Sequence, residues 1–208
     1  MQIKSFLYSK ILFEDESKNF KETLENAVKA EISLQEADLI GANLEGVNLQ
    51  WACLQGSCLQ GADLRGSNLE GVNLQGACLQ GSDLQFANLR KADLRESNLQ
   101  GVNLQGANLQ DNRLQGAYLE GADLRFANLK NIIMAWNSHR LVSEILFRAA
   151  QGDYSKESFA AWVDRKVDWC WEKWKSFQHP LREWAIEELR KFIKEGDNVP
   201  EFLRIKKD

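Results

Sequence analysis

Leucine recurs at every fifth position through the central part of this chain. It occupies position 34 and each fifth position through Leu129, twenty in succession without an insertion, and Met134 continues the series. On an α-helix a five-residue step turns about 500°, which would distribute the leucines around the whole cylinder, and on a flat strand alternate leucines would point to opposite faces. The leucines converge on one core only if each pentapeptide turns the chain by a fixed angle. The spacing therefore predicts a chain that coils around its own leucines.

The residues beside each leucine fit such a coil. Two positions before leucine the residue is almost always small, as in Ala37, Ala42 and Val47, which suits a second inward position in a narrow coil. Asn or Asp precedes leucine in most repeats, and glycine follows it by two positions in twelve of twenty repeats, where a tight corner would demand positive φ. Residues 32–131 contain no proline, which is consistent with N–H groups bonded between coils.

Written as A-(D/N)-L-x-G, these repeats resemble the pentapeptide-repeat family. Residues 61–65 and 121–125, both GADLR, are close to its consensus, and the resemblance covers residues 32–131, about half of the chain. It implies a mainly β fold, a right-handed quadrilateral β-helix with four pentapeptides per coil and hence five coils. At about 4.8 Å per coil the stack would be roughly 24 Å tall.

Both flanks of the repeats predict caps, because an open coil end would expose its core and a row of unpaired backbone groups. We expect an N-terminal strand and capping helix in residues 1–31, the β-helix in residues 32–134 and an α-helical C-terminal cap in residues 135–208. Within the first segment, the pattern predicts a strand-like stretch at 2–13 and a helix at 18–29. Ser17 is the expected N-cap of that helix.

The last 73 residues differ in composition from the repeats, since six of the seven tryptophans lie there and glycine nearly disappears. The pattern predicts helices at about 139–150, 155–177 and 181–194. Ser138 is the expected N-cap of the first, and Pro180 is expected in the first turn of the last. This tail is similar to those of some phage and prophage members of the family, so both a phage and a bacterial source stay open.

Residues suited to catalysis or metal binding are few and scattered. His139 and His179 lie near predicted helix starts, without a carboxylate or cysteine at a recognised metal spacing. Cys170 falls on the apolar stripe of the middle predicted helix, where a thiol usually serves as a small hydrophobe. We therefore expect no catalytic residue, no cofactor and no metal, and a protein that is not an enzyme.

Cys58 and Cys78 are twenty residues apart, which places them one above the other on adjacent coils. A Cα separation near 4.8 Å lies within the range that disulfides accept, but parallel side chains are not their preferred geometry. In a reducing compartment we expect two free thiols. A metal held by this pair together with Cys53, around the corner, is the alternative.

Charge and hydropathy restrict the partners. The net charge of −4 argues against binding nucleic acid through its phosphates. No apolar run approaches the roughly 20 residues needed to cross a bilayer, and the start of the chain lacks the features of a signal peptide. We expect a cytoplasmic protein, or a virion component if a phage encodes it, that binds neither nucleic acid nor membranes.

Two functions remain to be compared. The first is a non-enzymatic module for protein–protein interaction, structure or assembly, with an unidentified protein partner. The second follows from the resemblance, because the quinolone-resistance members of the family imitate duplex DNA in size and charge and bind DNA gyrase. A mimic about 24 Å tall would present about fourteen negative charges. The four faces here carry net charges of −1, −2, −2 and +1, which favours the first function.

The predicted interface consists of outward apolar residues on the repeats and of two tryptophans in the tail. One face has only two charged residues, Asp38 and Glu120, so that its desolvation costs little. Aromatic residues replace the corner glycine three times, where they either bind a partner or pack on a flanking segment or cap. Related proteins often dimerise through their C-terminal cap, which implies a homodimer through the C-terminal helices. The candidate interface residues are Ile40, Trp51, Phe86, Tyr118, Phe126, Trp169 and Trp171.

Overall fold

A spacing of twenty residues governs the backbone pairing of the repeats. The computed structural model describes residues 1–133, 138–164, 174, 178–193, 200 and 203. In the repeats, each residue that precedes a leucine forms a parallel bridge with the residue twenty positions later, from Asp38 with Cys58 to Asn108 with Asn128. One coil therefore takes four pentapeptides, as predicted. The repeats contain single bridges rather than long strands, because each side of a coil is only one bridged residue between two turns.

Hydrogen bonds between coils keep the same register throughout. The amide of Leu44 donates to the carbonyl of Asp63 (2.7 Å), and the amide of Asp63 donates back to the carbonyl of Ala42 (2.9 Å). The leucines and the small residues two positions before them are buried and form the core of the stack. Burial on this scale is the main favourable contribution to folding.

Every corner of the β-helix is a β-turn whose third residue has positive φ. The amide of Ala42, for example, donates to the carbonyl of Leu39 (3.2 Å), and Gly41 between them has a φ of 61°. Non-glycine corners adopt the same conformation, as at Phe86 with 59° and Lys91 with 60°. Glycine fills most corners because it reaches positive φ without strain.

The N-terminal segment pairs with the first coil. It forms an antiparallel hairpin of β1 (Gln2–Lys4) and β2 (Ile11–Glu14). The amide of Asp38 donates to the carbonyl of Lys4 (2.8 Å). In the later coils the corresponding amide donates to a carbonyl of the preceding coil, so the N-terminal segment provides this acceptor for the first coil. The strand-like stretch predicted for residues 2–13 is thus two strands and a turn, and it closes one edge of the first coil.

Helix α1 (Phe20–Lys29) also packs on the first coil. Leu24 and Ala27 are buried on its inner side. The carboxylate of Glu25 accepts a hydrogen bond from the backbone amide of Asn48 (3.0 Å). Asn48 lies in the first coil, so there is no preceding coil whose carbonyl could accept from this amide. The helix therefore contributes both apolar surface and a polar partner to this end of the stack.

The N-cap of α1 is Asn19, and the prediction of Ser17 is wrong. The side chain of Asn19 accepts a hydrogen bond from the amide of Glu22 (2.9 Å). The hydroxyl of Ser17 instead donates to the carboxylate of Asp15, as do the hydroxyl of Thr23 and the amide group of Asn26. Because Asp15 uses the Ser17 hydroxyl, the helix begins two residues later than predicted.

Asp15 joins the hairpin to α1. The hydrogen bond from Ser17, with further bonds from Asn26 and Thr23, holds the pKa of the Asp15 carboxyl well below its usual range. The ionised form is therefore the one that the folded N-terminal segment stabilises.

The chain divides into two compact units, Met1–Ile132 and Ile133–Asp208. The described part of the second unit contains α2 (His139–Ala150), α3 (Tyr154–Asp164) and α4 (Arg182–Arg190), and α2 contacts both other helices. That this unit caps the β-helix, and that the chain has three parts with the predicted bounds, stay predictions.

The ends of these helices agree with the sequence in part. Ser138 is the N-cap of α2, as predicted, and accepts from the amide of Leu141 (3.2 Å). Most of the predicted helix 155–177 beyond residue 164 lies outside the described residues. Pro180 lies in the turn before α4 and not in its first turn, because Nδ1 of His179 accepts from the amide of Leu181 (3.1 Å) and stabilises that turn.

An aromatic cluster around Phe159 forms part of the core of the second unit. The ring of Phe159 stacks on Trp162 (5.8 Å between centroids) and on His179 (4.6 Å), and it meets the edge of Trp174 at 6.1 Å. Phe159 and Trp174 are buried, in agreement with the predicted apolar stripe. His179 thus contributes to packing and to a turn.

A carboxylate in the leucine core should prevent folding. Leu59→Asp buries a charge without a partner among the other leucines, and we expect no cooperative melting transition. Gln60→Asp makes the same change one residue later at an exposed position, and we expect a melting temperature within a few degrees of the original chain. Thermal unfolding followed by circular dichroism measures both, and equal melting temperatures would contradict the inward and outward assignment.

Asp15 should make the stability of the N-terminal segment depend on pH. Because its folded pKa is below the unfolded value of about 3.9, the stabilisation is present above that value and is lost as the pH falls further. Asp15→Asn should therefore melt below the original chain at pH 7, and the difference should shrink as the pH falls below about 4. Glu16→Gln is the matched control, and a difference that is independent of pH would refute the assignment.

Candidate functional site

The twenty-residue register arranges outward side chains in vertical columns, two on each side of the β-helix. The side with the lowest number of charges, the low-charge face, carries Asp38 and Glu120 at opposite ends. Between them lie neutral side chains. Its two columns are Asp38, Cys58, Cys78, Asn98 and Tyr118, and Ile40, Gln60, Gln80, Gln100 and Glu120.

The next side, the aspartate face, carries paired charges. Its columns are Asn43, Asp63, Asp83, Asn103 and Asp123, and Glu45, Arg65, Gln85, Gln105 and Arg125. Arg65 lies 2.6 Å from the carboxylate of Asp63, and Arg125 lies 2.5 Å from that of Asp123. The hydrogen bond from Arg65 lowers the pKa of Asp63. Two of the three aspartates on this side are therefore neutralised by a neighbour on the same face.

The third side, the asparagine face, is held by a ladder of side-chain amides. The amide nitrogen of Asn68 donates to the oxygen of Asn48 (3.1 Å), and the pattern continues to Asn128 and Asn108 (3.0 Å). The ladder uses one donor and one acceptor of most members for contacts inside the stack. Hydrogen bonding between coils therefore explains why asparagine recurs every twenty residues in this column, a recurrence that is visible in the sequence.

The corner between the low-charge face and the aspartate face consists of glycine alone. We call this corner the glycine edge, and its members are Gly41, Gly61, Gly81, Gly101 and Gly121. A Cβ atom added at any of the first four would meet nothing within 4 Å. Space does not require glycine there, and other corners accept Lys91 or Asp111 at the same φ. The edge is bare backbone that another molecule can approach closely. It was not predicted, although the twenty-residue recurrence of glycine signals it.

Two of the aromatic corner residues pack on the next coil. A Cβ atom on Gly71 would lie 2.1 Å from the ring of Trp51, and one on Gly106 would lie 2.6 Å from the ring of Phe86. Each ring thus covers a glycine twenty residues later rather than a flanking segment or cap. The side chains are nevertheless 63% exposed at Trp51 and 69% at Phe86. A role in binding stays a prediction for both.

The other predicted interface residues lie apart from one another. Ile40 (49% exposed) and Tyr118 (51% exposed) lie on the first and last coils of the low-charge face, about 19 Å apart along the stack. Phe126 (80% exposed) lies on the same corner as Phe86, between the aspartate and asparagine faces. They do not form one cluster.

Trp169 and Trp171, the two predicted interface residues of the tail, lie outside the described residues. The homodimer through the C-terminal helices therefore stays a prediction.

The tip of the N-terminal hairpin adds an apolar patch that was not predicted. Phe6, Leu7 and Tyr8 are exposed in the turn between β1 and β2. The amide of Phe6 donates to the carbonyl of Glu36 (2.7 Å), which places the tip beside the N-terminal end of the low-charge face. Three consecutive apolar residues outside any periodic pattern were the available signal in the sequence.

Three cysteines of the repeats, Cys53, Cys58 and Cys78, are free thiols. Cys58 is buried, and this burial raises the pKa of its thiol to about 11, with a further contribution from Cys78. Among the described residues, no group of three or more His, Cys, Asp or Glu side chains is placed to hold a metal ion. In the same part of the chain, no helix combines the length and the apolar character needed to cross a bilayer.

The chain belongs to the pentapeptide-repeat family. The model of pentapeptide repeats matches in eight copies that together span residues 30–134. The match confirms the family that the repeats resemble. Membership implies the right-handed quadrilateral form of the β-helix that the twenty-residue bridges describe.

Solved structures of pentapeptide-repeat proteins match the repeats. Rfr23 from the cyanobacterium Cyanothece 51142 is 37% identical over 47% of this chain and 60% of its own, with a TM-score of 0.36. The protein alr5209 from Nostoc PCC 7120 is 42% identical over 37% of this chain and 64% of its own, with a TM-score of 0.37. AT2G44920, from the Arabidopsis thaliana thylakoid lumen, is 24% identical over 51% of this chain and 74% of its own, with a TM-score of 0.39.

The matched region thus spans less than two thirds of Rfr23 and of alr5209. No curated protein matches this chain. These similarities identify no partner.

The contact between Trp51 and Gly71 can be tested by adding one methyl group. Gly71→Ala forces the Trp51 ring away from the corner, whereas Gly81→Ala at the same φ of 66° meets no atom. The second change should cost about 1–2 kcal/mol for the left-handed conformation, and the first should cost more. Urea unfolding measures both. Adding Trp51→Ala to Gly71→Ala should recover the excess, and equal stability of the two alanine variants would disprove the contact.

Proposed function

We propose that this chain is a non-enzymatic protein-binding module and that its partner binds across the low-charge face, the glycine edge and the aspartate face. The observation that carries the proposal is the low-charge face. Its charged side chains lie at its two ends, so a partner loses little solvation energy on covering the middle. Exposed Ile40 and Tyr118 provide apolar contact on the first and last coils.

The size of a stable interface determines how far the binding surface must extend. A face of five coils is about 24 Å tall and about 10 Å wide, a projected area of about 240 Å². A standard interface buries about 800 Å² on each partner. One face is therefore insufficient, and a partner must continue around at least one corner.

The glycine edge is the corner that a partner can cross with the least obstruction, because it carries no side chains. Beyond it, the aspartate face offers ion pairs that are already neutralised, and it ends at the corner of Phe86 and Phe126. The apolar hairpin tip extends the same surface at its N-terminal end. The low-charge face and the glycine edge are uncharged between the ends of the stack, and the other charges of the surface lie on the aspartate face, so that an uncharged region is bordered by a polar one, as is typical of protein interfaces.

DNA mimicry is the weaker alternative. Residues 32–131 contain eleven acidic and seven basic side chains, whereas duplex DNA of the same height presents about fourteen uncompensated charges. The ion pairs Asp63–Arg65 and Asp123–Arg125 reduce the available negative charge further. A protein that recognises DNA by its charge would find few equivalent groups here.

A substitution on the glycine edge tests the proposal. Gly81→Asn adds a side chain where the partner is proposed to cross. Lys91→Asn is the control, because it places the same residue at a corner that also has positive φ but lies on the opposite edge of the β-helix. Asn tolerates positive φ, so both variants should fold. In affinity capture from the native host, Gly81→Asn should lose the protein that the original chain retains, and Lys91→Asn should keep it. Melting temperatures confirm that both are folded.

Two further measurements separate the hypotheses. Tyr118→Ala should weaken the captured complex about tenfold or more if aromatic contact anchors it. Retention should depend weakly on salt, since the low-charge face is uncharged between its ends and Asp63 and Asp123 on the aspartate face are paired with arginines. Steep salt dependence, capture of gyrase or another DNA-binding protein, and loss of binding on Asp83→Asn rather than Tyr118→Ala would instead support DNA mimicry. A complex that survives Gly81→Asn unchanged would refute the proposed surface.

A further inference from the structure

Cys58 and Cys78 form a pair of thiols in the middle of the low-charge face. They are bridge partners on adjacent coils, and the proximity of Cys78 adds to the rise in the pKa of Cys58 that burial causes. Their amides donate to the carbonyls of Ala37 and Ser57, both at 2.9 Å. The bonds between coils therefore fix both backbone positions, and only side-chain rotation adjusts the distance between the sulfurs.

This spacing is unfavourable for a disulfide. A disulfide requires an S–S bond of about 2.05 Å and Cβ atoms about 3.5–4.5 Å apart. Parallel side chains on adjacent coils hold their Cβ atoms at about 4.8 Å, the spacing of the backbone. Closing the bond would pull two coils together against the hydrogen bonds that set their separation.

An ion that takes two ligands in line fits the same spacing. Zinc–sulfur bonds are about 2.3 Å long, and an ion of similar bond length held in line between two thiolates places the sulfurs about 4.6 Å apart, close to the coil separation of about 4.8 Å. Zinc normally takes four ligands, and the described residues contain no group of three or more suitable side chains. In the same column the pair is followed by Asn98, whose amide oxygen already accepts from the amide of Gln100, and preceded by Asp38, the one carboxylate of that column. The geometry thus favours a soft ion over zinc.

We propose that Cys58 and Cys78 form a two-coordinate binding site for a thiophilic ion of the copper(I) class. On binding, two S–H bonds break, two copper–sulfur bonds form and two protons pass to solvent, with no change in oxidation state. The ion enters from the Cys78 side, because Cys78 is partly exposed whereas Cys58 is buried. The site rests on the cysteine geometry and is independent of the proposed function.

Copper(I) competition tests the site directly. The full chain carrying Cys53→Ser and Cys170→Ser retains only the pair, and it is titrated anaerobically with copper(I) against a chromophoric copper(I) chelator. We expect one ion per chain. Adding either Cys58→Ser or Cys78→Ser should abolish competition with the chelator, and zinc(II) at the same concentration should not displace copper(I). Silver(I) should occupy the same site, since it shares the preference for two ligands in line.

Two readouts keep the test valid if a serine variant folds poorly. In the unsubstituted chain, copper(I) should protect both Cys58 and Cys78 from alkylation, as read by mass spectrometry of the peptides. X-ray absorption of the bound ion should show two sulfur neighbours and no others. Binding that persists in both serine variants, three or more ligands around copper, or oxidation of the pair to a disulfide by glutathione disulfide in preference to binding would overturn the proposal.

Discussion

The positive φ at every fifth residue is the constraint on which the rest of the structure depends. It turns the chain by the same angle at each corner, so that four pentapeptides close one coil and residues twenty apart bridge in parallel. The leucines are buried as a consequence, because every repeat points the same position inward. The corners also decide the surface, since a residue type that recurs every twenty positions becomes a vertical column. The low-charge face, the asparagine ladder and the glycine edge all arise in this way.

Glycine serves three separate purposes in one repeat position. At most corners it supplies positive φ at no steric cost, but eight repeats manage with other residues, so conformation alone does not explain the pattern. At Gly71 and Gly106 it also makes room for an aromatic ring from the previous coil. Along the glycine edge neither crowding nor an aromatic neighbour demands it, and there the bare backbone forms part of the proposed binding surface. The residue type allowed at a corner therefore depends on the corner residue of the preceding coil in some columns, and does not depend on it in others.

The sequence predicts the coil and much less of the surface. Twenty evenly spaced leucines exclude an α-helix and a flat sheet, so the coil follows from the periodicity, whereas its four-sided form followed from the resemblance to the pentapeptide-repeat family. The start of α1 could not be predicted, because Ser17 and Asn19 both have side chains suited to capping and only the position of Asp15 decides between them. The packing of Trp51 on Gly71 depends on the direction of a corner side chain, which no local pattern specifies. The glycine edge, in contrast, becomes visible once the repeats are aligned in rows of twenty.

The proposed copper site and the proposed binding surface share the low-charge face, and their electrostatics oppose each other. Two neutral thiols become two thiolates around one monovalent cation, which adds a net charge of −1 in a region whose nearest charged neighbour in the column is Asp38. A partner that covers this face would then have to desolvate an additional charge, and buried uncompensated charges are costly. Ion and partner should therefore weaken each other's binding by the same factor, as linkage requires. A partner that supplies a cation opposite the site would reverse the sign of this coupling.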